Sequence, residues 1–556
     1  MFSELSFGGY LFDGNSYPSV DGPPEQQLAE AMGPCHHAAL RHTKTGLSAR
    51  FIDRPVRGNR WSHGQEGYPS FADWPHYWML THQQMYVDWV HRAYRHGLRL
   101  MVMTITNSQT LCESFHRIPG APCEDDGVIA AQIEAMQRML DAIEKREGGW
   151  MRLATSSREA EQIIRVNKLA LVLGVEVDTL FGCGAEGDVR CRSEAYVAEL
   201  ERLYAAGVRQ IIPIHLIDNG FGGAAIYDDH MNVNQLVLRG ERLEPDPAGC
   251  QDERVDFEFS SGPEMLVTAR LATGVWYLPR YEHAPNGNKG HCNVRGLSRD
   301  GEELVRNLMR RGVLIDVEHM SERSTQRTIE LARANCADLA NGRTCYPLLA
   351  SHTWPRDLKR RLRHGEDAGS VRPGEVIEST TELQKPRSAL AAIRELGGVV
   401  GVITNQGRLY REDGALADQC PTSSESVATA LAYTVEQMGD RGGVGFGTDF
   451  NGFAGQPGPR FGAHACGDRG APDARAQLSY PFRDYYGDAT SCASAGQRGF
   501  DFNRDGLVHY GLLPDLIADM KVVGASPQTI DTLYSSARAY IEMWKRAEDV
   551  ARARGN

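Results

Sequence analysis

Seven short apolar runs, most closing on a charged or imidazole side chain, constrain the fold of this chain more than any other feature. They read LRLMVMTIT, LALVLGVEV, RQIIPIHL, VLIDVEH, PLLASH, GVVGVIT and GVGFGTDF. All are rich in Val, Ile and Leu and lack the polar alternation of a half-exposed strand, as expected of parallel strands covered on both faces. Helical patterns stand between most of them: SEAYVAELERLYAAG, GEELVRNLMRRG, SERSTQRTIELARA, RSALAAIRELGG and ESVATALAYTVEQMG, each ending near a glycine or a turn. Repeated strand–helix units predict an α/β fold, a (β/α)8 barrel of the TIM type.

Seven strands leave such a barrel one short of closure. The region before residue 79 mixes Gly, Pro, His and Trp in loop-like order, so the missing strand is expected to be the first, upstream of Met1. The remainder reads as insertion, at about residues 220–290, with a hairpin expected at VNQLVLRGERLEP, and at about 453–510. SPQTIDTLYSSARAYIEMWKRAEDVARA is an amphipathic helix opened by Ser526 and Pro527. With no internal repeat, low-complexity tract or flexible linker, residues 1–556 read as a single domain.

Composition excludes several classes. Hydrophobic residues make up 41% and charged residues 24%, which is ordinary for a globular domain, and no apolar run approaches a membrane span. A net charge of -12, without a basic stripe, argues against nucleic-acid binding. The run Lys359, Arg360, Arg361, Arg363 reads first as solvated surface. Twelve cysteines include three close pairs: Cys112 with Cys123, Cys183 with Cys191, and Cys336 with Cys345. None has CxxC spacing, so loop-closing disulfides are expected ahead of unrelated free thiols. Disulfides imply an oxidising, extracellular or periplasmic setting, although no signal peptide opens the chain.

Barrel enzymes carry their chemistry at the C-terminal ends of the strands. Here those ends are Glu176, His215, His319, His352 and Asp449. One histidine at such a position is more often structural. Five polar groups on five strands converge on one mouth, which packing alone does not explain. Imidazole and carboxylate without thiolate suit zinc or another first-row cation, and a carboxylate can bridge two ions.

These segments resemble the membrane (renal) dipeptidase family of the amidohydrolase superfamily. The matching pieces are GVEVDTL, LERLYAAGVRQIIPIHLIDN, GVLIDVEHMSERS, LLASHTWPRDL, GGVVGVIT, VGFGTDFNG and HYGLLPDLIADM, in the family's order. The resemblance implies a metal-dependent hydrolase of dipeptides or similar small amides, using one or two zinc ions. By resemblance, Glu176 bridges the metals, His319 and His352 complete the second site, and Asp449 binds the first metal and serves as general acid and base. His215 polarises the scissile carbonyl, and Arg363, with Arg361 as substitute, grips the substrate carboxylate. Homodimers are common in the family, so the resemblance extends to a homodimer.

One departure stands out. The family's first strand ends in His-x-His or His-x-Asp, and no such pair occurs at a suitable place here; His36, His37 and His42 follow no strand. The first metal site is therefore expected to be incomplete. Two other readings stay open: a catalytically impaired barrel acting as a binding protein, and an amidohydrolase acting on another small amide or a lactone. Asp501 to Leu507 matches the front of a calcium loop, but Leu512 stands where a glutamate is needed, so turns are expected there. Trp61, Trp74, Tyr77 and Trp78 either line a pocket or pack under the barrel.

Overall fold

The computed structural model describes residues 1–6, 71–72, 75–78, 86–109, 122–252, 254–259, 290–359, 380–411, 414–439, 443–452, 454–468 and 473–555. Eight strands run in parallel: β1 Phe2–Ser6, β2 Leu100–Asn107, β3 Leu169–Val177, β4 Val208–Ile212, β5 Leu314–Ile315, β6 Leu349–Thr353, β7 Val399–Ile403 and β8 Gly443–Gly447. A short strand, Met151–Leu153, flanks β3. The spatial order is β5-β4-β3-β2-β1-β8-β7-β6. The remaining seam is joined by the parallel bridge Asp316↔Leu349, with the Val317 N–H donating to the Leu349 carbonyl at 2.9 Å. The result is a nearly closed TIM-type barrel.

The seven strands expected from the sequence all form. The expectation of a vacant first position is corrected, because Phe2–Ser6 fills it. Phe2 pairs with Leu100 and Ser6 with Thr104 on one side, while Ser3 pairs with Phe446 and Glu4 with Gly447 on the other. Phe2 turns its ring into the barrel against Gly445, where an added Cβ would meet the ring at 2.4 Å.

The long helices are α1 Val87–Arg95, α2 Asp125–Glu147, α3 Ser157–Arg165, α4 Ser193–Ala205, α5 Asp229–Arg239, α6 Arg299–Arg310, α7 Glu322–Ala334, α8 Arg387–Glu395, α9 Ser424–Met438, α10 Leu513–Val522 and α11 Pro527–Ala553. Serine hydroxyls cap several: Ser156, Ser298, Ser321, Ser423 and Ser526 each accept a backbone N–H of the first turn. Helix α11 packs against the beginnings of β1 and β8. Ser536 Oγ accepts the Phe2 N–H at 2.8 Å, and the Tyr540 ring lies 5.2 Å from that of Phe2. The strand ends that carry polar residues point the other way.

A second correction concerns VNQLVLRGERLEP, which begins inside α5 rather than in a hairpin. Val233, Leu236 and Val237 fall at helical spacing, and the short apolar run was ambiguous between the two periods. The calcium-like stretch forms turns as expected: Asp501 caps a single helical turn, Phe502–Asp505. The disulfides Cys183–Cys191 and Cys336–Cys345 form, joined by Cys250–Cys292 and Cys420–Cys466. Cys123 is disulfide-bonded too, and Cys112 lies outside the described residues, as do Arg361, Arg363, His36, His37, His42, Trp61 and Trp74. Tyr77 and Trp78 pack edge-on and tilted against His464 of the second insertion. No described helix is long and apolar enough to cross a membrane.

Candidate metal centre

Four of the strand-end residues meet at one point. Glu176, at the end of β3, turns Oε1 toward three imidazole nitrogens: His319 Nε2 at 3.0 Å, His215 Nε2 at 3.5 Å and His352 Nε2 at 3.6 Å. His319 Nε2 and His352 Nε2 are themselves 2.9 Å apart. All four side chains are buried. They come from β3 and from the loops and strand ends that follow β4, β5 and β6, so the parallel order of the barrel makes them neighbours.

Local backbone holds them there. His319 has φ 61° and Asp449 φ 44°, both left-handed, a conformation that costs a non-glycine residue roughly 1–3 kcal/mol and persists where the surroundings impose it. The His319 carbonyl accepts the Ala225 N–H at 2.7 Å, tying β5 to the loop after β4. Asp449 follows β8, and its Oδ2 accepts the Ala454 N–H at 3.0 Å. Gly447, two residues earlier, lies directly against the His352 backbone.

Beneath the cluster runs a buried polar chain. Asp316 accepts the Ser351 N–H at 3.2 Å, the Glu318 N–H at 3.1 Å and the Gln210 side-chain amide at 2.9 Å. Gln210 in turn accepts the Tyr540 hydroxyl at 2.7 Å, so α11 braces the strands that carry His319 and His352. Burial pushes the Asp316 carboxyl up to about 7, helped by Glu318 and opposed by its Ser351 contact. Ser351 Oγ lies 2.8 Å from His352 Nδ1, and Glu318 pairs with the buried Lys385 at 3.3 Å.

Charge at the cluster is uneven. Burial opposes ionisation of Glu176, but His215, His352 and His319 outweigh it and hold the carboxyl well below the usual range. His319 is lowered to about 3, by burial first and then by the other two imidazoles, against the pull of Glu176. His215 is shifted upward: burial disfavours its charge, while Glu176 and Asp178 favour it more. Tyr227, whose ring is 6.4 Å from that of His319, is pushed well above the phenol range by burial and by Asp228, Asp449, Asp178 and Glu176.

The residues fit a divalent cation. Glu176 Oε1 is buried and accepts no hydrogen bond among the described residues, although three imidazole nitrogens face it. A bare carboxylate oxygen among nitrogen lone pairs is costly unless a cation stands between them. Glu176, His215 and His319 offer donor atoms that all lie within 4.8 Å of one another. Nitrogen and oxygen donors without thiolate suit zinc and its first-row neighbours.

Sequence reasoning found Glu176, His215, His319 and His352 and missed what stands behind them. Asp178 Oδ1 lies 3.0 Å from His215 Nδ1, and Asp125, at the start of α2, accepts the Asn107 amide at 2.6 Å and the Thr179 N–H at 2.6 Å. The signal for Asp178 was present: it follows Glu176 by two residues, just past the end of β3.

Residues 281–368 match the family model of membrane dipeptidases, peptidase family M19. That stretch contains both His319 and His352; the match bears out the resemblance and supports a hydrolase. Among solved structures, the dipeptidase AC, a metallopeptidase of family M19, is 14% identical, with 82% of this chain and 88% of that chain covered and a TM-score of 0.44. A metallopeptidase from Rhodobacter sphaeroides, liganded with a phosphinate mimic of the dipeptide L-Ala-D-Ala, is also 14% identical, with coverages of 82% and 89% and a TM-score of 0.44. A probable dipeptidase from Pseudomonas aeruginosa is 15% identical, with coverages of 82% and 88% and a TM-score of 0.43. No curated protein matches the chain.

Proposed function

We propose that this chain is a metallohydrolase of the membrane dipeptidase type, cleaving dipeptides or similar small amides, with zinc held by Glu176, His319 and His352. The observation that carries the reading is the convergence of Glu176 Oε1 with three imidazole Nε2 atoms within 3.6 Å. When bound there, the cation would supply Lewis-acid polarisation of the carbonyl and lower the pKa of water.

The chain's own residues do the rest. Asp449, just past the end of β8 on the same rim of the barrel, takes the proton of the attacking water and returns it to the leaving amine, two transfers that one carboxylate can make in turn. The left-handed backbone at Asp449 fixes where that carboxylate stands. Arg363 grips the substrate's carboxylate. His215 stands close enough to Glu176 to act beside it, either on the carbonyl or on the cation. Four described disulfides favour an extracellular or periplasmic setting.

A second reading, a barrel that binds without turnover, is favoured by the sequence of β1: FSELS holds no histidine for a first metal site. A panel of dipeptides incubated with the zinc-loaded protein separates the two. Release of free amino acids, with kcat lowered roughly 10²–10⁴-fold in Asp449→Asn at unchanged folding, is the expected result. Binding of dipeptides with no amino acid released from any of them contradicts catalysis and supports the second reading.

A further inference from the structure

We infer that Tyr227 selects the substrate: its ring is the open face of an apolar ledge beside the metal centre, and it receives an apolar side chain next to the scissile amide. The inference rests on the metallohydrolase reading and deepens it.

The backbone after β4 aims the ring. Residues 225–227 lie outside any helix, and their side chains alternate as in an extended segment. Ile226 packs on Leu243, Phe257 and Phe259 of the first insertion, whereas Ala225 and Tyr227 pack on Trp354, Leu383, Ile403 and Ala454. Two bonds pin the segment. The Ala225 N–H donates to the His319 carbonyl at 2.7 Å, and the Ile226 N–H donates to Glu382 Oε2 at 2.7 Å.

The ledge shares its mouth with the imidazole cluster. Trp354 follows His352 by two residues, Ile403 ends β7, and the Ala454 N–H donates to Asp449 Oδ2 at 3.0 Å. The Tyr227 ring lies 6.4 Å from that of His319. Ala225, Trp354, Leu383, Ile403 and Ala454 are all buried, and Tyr227 alone of the six is half-buried. The ledge therefore offers one surface, a phenol ring. An aliphatic side chain laid on it removes apolar area of both partners from water, which a glycine does not. Asp228, Asp449 and Glu176 crowd the same corner and disfavour an acidic side chain there.

The test compares side chains on one protein, so the fraction folded cancels. Phosphinate analogues of Gly-Gly, Leu-Gly and Gly-Leu are titrated into zinc-loaded wild type, Tyr227→Phe and Tyr227→Ala, and kcat/KM is measured for the three dipeptides themselves. A hydrophobic pocket distinguishes one methylene by about 10–200-fold, and a half-open ledge less. The wild type is expected to bind one leucine analogue at least about fivefold more tightly than the Gly-Gly analogue, with kcat/KM following. Tyr227→Phe keeps at least half of that preference, because the ring remains, and Tyr227→Ala loses most of it. A smaller wild-type preference, no binding of any analogue, or a preference that Tyr227→Ala retains overturns the inference. Loss in Tyr227→Phe equal to that in Tyr227→Ala overturns it too, since the hydroxyl rather than the ring would then select. The expected pattern of binding with no dipeptide cleaved overturns the dipeptidase reading and leaves the ledge standing.

Discussion

At Gly447 an added Cβ would lie 2.2 Å from the Ser351 carbonyl oxygen and 2.3 Å from the His352 Cα. Both neighbours are backbone, so no side-chain rotation relieves the clash, and β8 would have to move away from β6. Gly447→Ala is therefore expected to cost about 1–3 kcal/mol in urea unfolding, the range for overpacking a tight interior, and to weaken zinc binding because His352 moves with its strand. Wild-type stability and affinity in this variant would show that the close approach is not needed. At this scale the sequence was informative about which strand-end residues cluster and less so about their supports. Glu176, His215, His319 and His352 were legible because a charged or imidazole side chain ending an apolar run is conspicuous. Asp316 was not, because a buried carboxylate held by amides and backbone N–H groups looks in sequence like any other polar residue.

Among the elements, α1 and the second insertion are joined through His509. Its ring stacks on Trp89 at 4.1 Å and meets Phe500 edge-on at 4.5 Å, and neither ring nitrogen has a hydrogen-bond partner among the described residues. Burial, then Arg92 and Arg498, holds its pKa well below the ordinary 6.5. The unfolded chain thus takes up a proton below pH 6.5 that the folded chain refuses. The contribution is absent above that pH and becomes a progressive loss of stability as pH falls toward the folded value. His509→Phe keeps the aromatic contacts and is expected to be less acid-sensitive than wild type when Tm is compared at pH 7.5 and 5.5, with little difference at pH 7.5. Equal acid sensitivity in the two proteins would rule out His509 as a source of it. Elements were unevenly legible too. Seven strands stood out as continuous apolar runs, whereas FSELS is short, half polar and placed at the chain start, and becomes a strand only through its two neighbours. The α5 segment was misread because a brief apolar run fits either period until its flanks are packed.

For the whole molecule, the barrel accounts for why residues from 176 to 352 meet: parallel strands end together, and α11 braces the opposite end through Tyr540, Gln210 and Asp316. Cys183–Cys191 closes a short loop that follows β3, and so restrains the chain just past Glu176. We propose that these strand ends hold a cation with which the chain hydrolyses small amides. Dipeptide hydrolysis measured on one preparation before metal removal, after it, and after return of Zn²⁺ tests that claim most directly. Activity lost on stripping and recovered with zinc, but not recovered in Glu176→Gln, is the predicted result. Undiminished hydrolysis by the stripped protein, or none by the zinc-loaded one, would contradict it.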